Sequence, residues 1–245
     1  MLDVDGLTRT RRYFTRWVRY RLAAPRVPNL ERLLLGKNVV VVGSAPFSTK
    51  PLGWDDSFRV LTINASQIAA QGWLPHPPDV TLMQFNQIEG LNPAAVEVRR
   101  VLQHQKTGLL CLLNWRHERE RLVRGLEAFD YRYNELTLIS RHERIALMHR
   151  VTGRLNLELE GEAKWSNGIV GAALALASGA ANVVLTGIDP LSKGHKYNSL
   201  DLSRMHQETD LQALQIFRDQ RLPVFTADPN VAQTVGLPLW DPRAT

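Results

Sequence analysis

Hydrophobic positions follow two rhythms along this chain, and the switches between them mark its elements. Residues 38–43, NVVVVG, form an uninterrupted apolar run. That is the pattern of a parallel strand covered on both faces. FRVLTIN (58–64), DVTLMQF (79–85), GLLCLLN (108–114), NVVLTG (182–187) and LPVFTA (222–227) repeat it, and Leu136 to Ile139 is a shorter version. Between these runs the apolar positions recur at helical spacing. ASQIAAQG (65–72), residues 93–106, the charged stretch 116–129, RHERIALMHR (141–150), SNGIVGAALALASG (166–179) and residues 205–221 are the helices expected. The last is followed by one more strand and a proline-rich tail. Apolar strands alternating with helices predict a doubly wound, mostly parallel α/β sheet.

One segment stands outside this alternation. Residues 7–24, LTRTRRYFTRWVRYRLAA, place Phe14, Trp17, Val18, Arg21 and Leu22 on one side of a helix, with arginines around the rest. Pro25 and Pro28 end it. A basic amphipathic helix with aromatic side chains suits an anionic membrane surface. It equally suits packing on the body or on a second subunit. The chain therefore divides into a basic segment, 1–36, and an α/β domain, 37–245.

Composition narrows the partners. The chain has 245 residues, with a formal charge of +6. That balance favours an acidic partner such as a phosphorylated substrate, an anionic lipid or nucleic acid. The basic residues crowd one terminal helix, and no RNA- or DNA-binding motif accompanies them, so nucleic acid is the weakest of the three. The single cysteine, Cys111, sits in LLCLL and is expected to be a buried thiol. No apolar h-region opens the chain, so no secretory signal is expected. No stretch approaches the roughly 20 apolar residues of a membrane span.

In doubly wound sheets, ligands bind beyond the carboxyl ends of the strands. The candidates there are Gly43, Ser44, Ala45 and Pro46, then Asn64 to Ser66, Gln84 to Asn86, Asn114, and Gly187 to Tyr197. Carboxamides both donate and accept hydrogen bonds, so Asn64, Asn86 and Asn114 suit base edges and sugar hydroxyls. Asparagine also ends strands for turn chemistry alone. The GSAP turn is neither a P-loop nor a dinucleotide fingerprint, yet its small residues would let a phosphate or ribose approach main-chain N–H groups. Ser166, Asn167 and Gly168 open the alanine-rich helix, whose N-terminus would favour an anion or be simply capped. The loop GIDPLSKGHKYNS (187–199) carries Asp189, Lys193, His195, Lys196 and Tyr197. His206 begins the next helix and suits a general base near neutral pH. His76, His104, His117, His142 and His149 read as surface residues. No C-x-x-C or H-E-x-x-H occurs, and the one D-x-D, Asp3-Val4-Asp5, lies outside the sheet, so no metal is expected.

In order and spacing, these segments resemble the bacterial sialyltransferases of glycosyltransferase family 42, with fainter similarity to the animal-type family 29. The similarity runs over residues 38–232 and is poor in 90–160. Gly43-Ser44-Ala45-Pro46-Phe47 stands for the family's G-N-G-P-S. Val60 to Asn64 stands for V-F-R-C-N, and Lys164-Trp165-Ser166-Asn167-Gly168 for R-I-T-S-G. ALALASGAANVVLTGID (172–189) follows its A-x-A-L-G helix and G-I-D strand. MHQETDLQAL (205–214) follows its histidine helix, and VFTADPN (224–230) its late strand. There are departures. Ser44 replaces a nucleotide-contacting asparagine, Leu191 the first of two phosphate-binding tyrosines, and Lys164 an arginine. Aligning the Thr-Asp pairs puts Met205, not His206, at the histidine position.

The resemblance implies a Rossmann-like GT-A-variant fold and a metal-independent, inverting transfer of sialic acid or a related acidic sugar from a CMP donor, with no cofactor. The acceptor would be a glycan or glycolipid of the lipopolysaccharide or capsule kind. His206 would be the base. Tyr197, with Lys193 or Lys196, would stabilise the departing phosphate. Gly43 to Pro46, Asn64, Ser66, Asn86, Lys164, Ser166 to Gly168, Gly187 and Asp189 would hold the donor. The enzyme would be cytoplasmic, peripheral on the inner face of the membrane, and a possible homo-oligomer. Two other readings remain open. The same G-x-x-P and G-x-D strand ends are similar to the DUF115 family, which implies a Mg/ATP-dependent diphosphokinase. The third is a non-catalytic nucleotide- or membrane-binding module.

Overall fold

The computed structural model describes residues 4–160, 163–192, 194, 196 and 206–244, and of residues 4–7 the backbone only. It opens with helix α1 (Val4–Ala23) and a single turn, α2 (Glu31–Leu34). Then come β1 (Asn38–Val42), β2 (Arg59–Ile63), α3 (Gln67–Ala70), β3 (Val80–Gln84), α4 (Asn86–Glu89) and α5 (Pro93–Leu102). β4 (Lys106–Leu113), α6 (Arg119–Glu127), β5 (Arg132–Ile139) and α7 (Arg141–Thr152) complete the first five strands and their helices. α8 (Asn167–Ala177), β6 (Asn182–Thr186), α9 (Gln207–Asp219), β7 (Val224–Thr226) and α10 (Pro229–Val235) follow.

All seven strands are parallel, in the order β5-β4-β3-β2-β1-β6-β7. The expected doubly wound α/β sheet is therefore present, and wholly parallel. The order reverses at β1, which pairs with β2 on one side and β6 on the other. The ends of β1 and β6 thus flank the crevice where such sheets take ligands.

The alternating valines of β1 explain why both faces are covered. Val39 and Val41 enter one core with α8, and Val40 and Val42 enter another with α3 and Trp240. α8 carries almost no polar face because it is buried nearly throughout. It lies close on the sheet at Gly171, where a Cβ would stand 2.9–3.2 Å from Ile63, Leu61 and Val41 side-chain atoms.

Three expectations are corrected. Residues 103–106 do not extend the helix, because Leu102 ends it and Lys106 already begins β4. The closing segment is not a bare proline-rich tail. Pro229 takes the first turn of α10, where a missing N–H costs nothing. The third concerns α1, whose docked side is held largely by arginines, with Val18 and Tyr20 half-buried and the Tyr20 ring against His142. Arg12 donates to the Leu159 carbonyl, and Arg16 to those of Leu157 and Glu158. Tyr13, Phe14, Trp17 and Leu22 are exposed.

Cys111 lies in β4 with no solvent exposure, and burial pushes its thiol up to about 12. A neutral, covered thiol is a poor nucleophile. The native protein is expected to resist Ellman's reagent for hours and to release one equivalent on unfolding in guanidinium. Rapid native labelling would contradict this packing.

Candidate active site at the carboxyl rim

The turn after β1 and the turn after β6 interlock. Gly43 N–H donates to the Thr186 carbonyl and Ala45 N–H to that of Gly187, both at 2.8 Å. A Cβ on Gly43 would lie 2.2 Å from the Gly187 carbonyl oxygen. The small residues read as an opening for phosphate therefore first serve the approach of two backbones. Lys196 closes over this turn: its N–H donates to the Ser44 carbonyl at 3.0 Å, and its Nζ reaches Ser48 Oγ at 3.4 Å.

Asp228, just past β7, fastens the pair from below. Its carboxylate accepts from Gly187 N–H at 2.7 Å and from Thr49 N–H at 2.8 Å. Burial pushes its pKa above the usual carboxylate range, against the pull of these hydrogen bonds. The stretch VFTADPN (224–230) includes this residue, but nothing in it assigns a role to the carboxylate. Its partners lie 41 and 179 positions away.

Ile188 joins this corner to α8. Its side chain would meet a Cβ on Gly43 at 2.5 Å and one on Gly168 at 3.2 Å. Ser166 caps α8 by accepting from Ile169 N–H, and its own N–H donates to buried Asp210 at 2.8 Å. Thr209 Oγ1 donates to the Lys164 carbonyl at 2.7 Å and also reaches that of His206, at 3.1 Å. The Thr-Asp pair of α9 thus carries half-buried His206 to the start of α8. The Gly43–Pro46 turn, Gly187, Lys164, Ser166 to Gly168 and His206 form one corner.

The remaining candidates divide. Asn64 and Asn114 both take left-handed backbone, at φ 50° and 62°. Asn64 Oδ1 accepts from Gln84 N–H at 3.0 Å, which is turn chemistry. Asn114 Oδ1 is buried with no hydrogen-bond partner among the described residues. Asn86 Oδ1 accepts from Gln87 Nε2 at 3.0 Å. Ser66 is fully buried, accepting from Ile63 N–H and donating to the Val42 carbonyl, so it ties β1 to β2. Asp189 Oδ1 accepts from Leu191 N–H at 2.8 Å within its own loop. Lys193, His195, Tyr197 and Met205 lie outside the described residues. Of the five histidines read as surface, His142 is half-buried. Burial and the charges of Arg141 and Arg116 lower its pKa. Among the described residues no three His, Cys, Asp or Glu side chains cluster as for a cation.

No family model matches the chain, and no curated protein matches it in sequence. Solved structures do match. CstII from Campylobacter jejuni, in complex with the substrate analogue CMP-3FNeuAc, superposes with a TM-score of 0.53 at 16% identity, over 83% of this chain and 86% of that one. The monofunctional α-2,3-sialyltransferase Cst-I of the same organism gives 0.54 at 14%, over 87% and 84%. CstII with a trisaccharide acceptor and CMP gives 0.52 at 16%, over 82% and 86%. The fold is that of the bacterial sialyltransferases.

Two positions that depart from the sequence resemblance can be placed in this sialyltransferase fold. Ser44 is half-buried in the turn beneath Lys196, and Leu191 is 52% exposed in the loop after β6.

Proposed function

We propose that this chain is a CMP-sugar-dependent glycosyltransferase that moves sialic acid or a related acidic sugar to a glycan or glycolipid acceptor. The observation that carries this reading is the single corner formed by the interlocked β1 and β6 turns, the capped start of α8 and His206. The solved neighbours with CMP or its sugar analogue bound support the donor class.

The chemistry assigned to the corner is a direct displacement that inverts the anomeric carbon. His206 takes the proton of the acceptor hydroxyl as that oxygen bonds to the anomeric carbon. The bond to the CMP phosphate breaks, and the negative charge develops there. Lys196, with Lys193 and Tyr197, meets that charge, and the first-turn amides of α8 add a partial positive field. With these groups in place, the leaving monophosphate needs no cation. Asn64, Asn86, Ser166 and Asn167 hold nucleotide and sugar, and the Gly43–Pro46 and Gly187 turns shape the floor.

α1 is assigned to an anionic membrane surface on the cytoplasmic side. Its arginine-rich inner side is occupied by the body, while Tyr13, Phe14, Trp17 and Leu22 face outward. No described helix is long and apolar enough to cross a membrane.

A thermal-shift panel tests the donor class, since a ligand that binds the native state raises the melting temperature. CMP is expected to stabilise the protein, with EDTA present or absent, and CDP, UDP, GDP and ATP to do so far less. Stabilisation by ATP with Mg²⁺ alone would transfer the chain to the diphosphokinase reading. His206→Ala is expected to cut CMP-Neu5Ac turnover about 100-fold or more, with CMP stabilisation retained. CMP stabilisation without turnover on a broad acceptor panel would leave a binding module instead.

A further inference from the structure

At the opposite end of the same rim, beyond β4 and β5, lies a basic cleft of about 430 Å³. Arg16 and Arg19 of α1, Arg116 after β4, and Arg141 at the start of α7 converge on it. The elements that supply them are far apart in sequence, so the cleft is a product of the fold rather than of one charged helix. Ile145 and Leu157 give it an apolar floor.

The charges are not balanced from within. Arg141 is tied to Glu158, its Nε donating to the carboxylate at 3.2 Å and its Nη2 to the Leu157 and Glu158 carbonyls at 2.9 Å. Arg144 spends its charge on the same carboxylate. Glu143 is held by Ser140 N–H in the capping box of α7. Arg19 and Arg116 have no ion pair among the described residues. Of the four lining guanidiniums only Arg141 has an ion pair among the described residues, and it shares that carboxylate with Arg144, so Arg16, Arg19 and Arg116 leave three positive charges without one. The mutual repulsion also lowers the pKa of Arg16, behind burial as the larger cause.

Such an excess favours a ligand of more than one negative charge. A guanidinium fork matches the paired oxygens of a phosphate. A phosphate monoester carries about −1.5 to −2 near neutral pH, whereas a carboxylate carries one charge. A cleft of this size with an apolar floor also takes the group that bears the phosphate.

We infer that this cleft binds the phosphate-bearing part of a second ligand, separate from the CMP corner. The inference stands whether or not the chain transfers sugar. Where it does, the phosphate belongs to the acceptor, because it lies on the reaction rim but beyond the donor corner. The phosphate would come either from a lipid headgroup or from a soluble phosphorylated glycan.

Inorganic pyrophosphate titrated calorimetrically into the full chain is the first probe. Saturable binding is expected, with affinity falling about tenfold or more in Arg116→Gln and in Arg19→Gln. CMP stabilisation should be unchanged in both, which separates this site from the donor corner. Arg116 is decisive because it lies off α1. Absence of pyrophosphate binding, or unaltered affinity in Arg116→Gln, would overturn the inference. Vesicles of phosphatidate and phosphatidylcholine then distinguish the sources. Weaker retention of Arg116→Gln on phosphatidate identifies a lipid phosphate. Equal retention, with the pyrophosphate defect present, identifies a soluble ester.

Discussion

Replacing Gly43 with alanine is expected to lower the melting temperature by about 6–12 °C and to abolish stabilisation by CMP. The new methyl would sit 2.2 Å from the Gly187 carbonyl oxygen and 2.5 Å from Ile188 Cγ1. A side-chain tip would yield cheaply, but a backbone carbonyl does not. The Gly187 turn is fixed by its N–H bond to Asp228 and by the bond from Ala45 N–H. Overpacking that forces backbone movement costs about 3 kcal/mol at the upper end of its range, and about 2–4 °C follows per kcal/mol in a chain of this size. The displaced turn carries Ser44 and Lys196 with it, hence the lost nucleotide response. Gly72→Ala is the control, for nothing lies within 4 Å of its added methyl. A Gly43→Ala protein that melts with the parent and still responds to CMP would refute the interlock.

The second large effect is expected at Glu158. Its side chain is 2% exposed and pairs with Arg144, 5% exposed, and with Arg141, 27% exposed. Glu158→Gln leaves Arg144 charged and buried without a counter-ion. Breaking one partner of a buried pair costs about 3–5 kcal/mol, enough to lower the melting temperature by about 6–20 °C. Adding Arg144→Met to Glu158→Gln removes the stranded charge and should regain most of the loss, since Arg141 reaches water. Chemical denaturation of the parent, single and double variants measures this. A single variant as stable as the parent, or a double variant worse than the single, would reject the charge account.

What could be read from the chain depended on how local the cause was. β1, β3 and β6 were legible because a strand covered on both faces has to be apolar at every position. The start of α8 was legible because Ser166 is its own cap. The opening of β4 was not, since Lys106-Thr-Gly carries no apolar signal before Leu109. In the site, Asn64 and Ser66 carry chemistry suited to a ligand, and the fold uses much of it for turns and strand ties. The two carboxylates that assemble the corner, Asp210 and Asp228, act across 44 and 41 residues. Both lie in segments read from the sequence, but nothing local says which distant N–H each carboxylate will hold. The same limit applies to α1, where arginine-to-carbonyl bonds decided which side faces inward.

The alanine-rich composition of α8 bears on ligand affinity. Short side chains leave little rotamer freedom to lose, and the helix is held flush against the strands before anything binds. The orientation of its amide dipoles at the corner is set during folding. An anion bound there, as proposed, would meet a preorganised field and bear no entropy loss for arranging it.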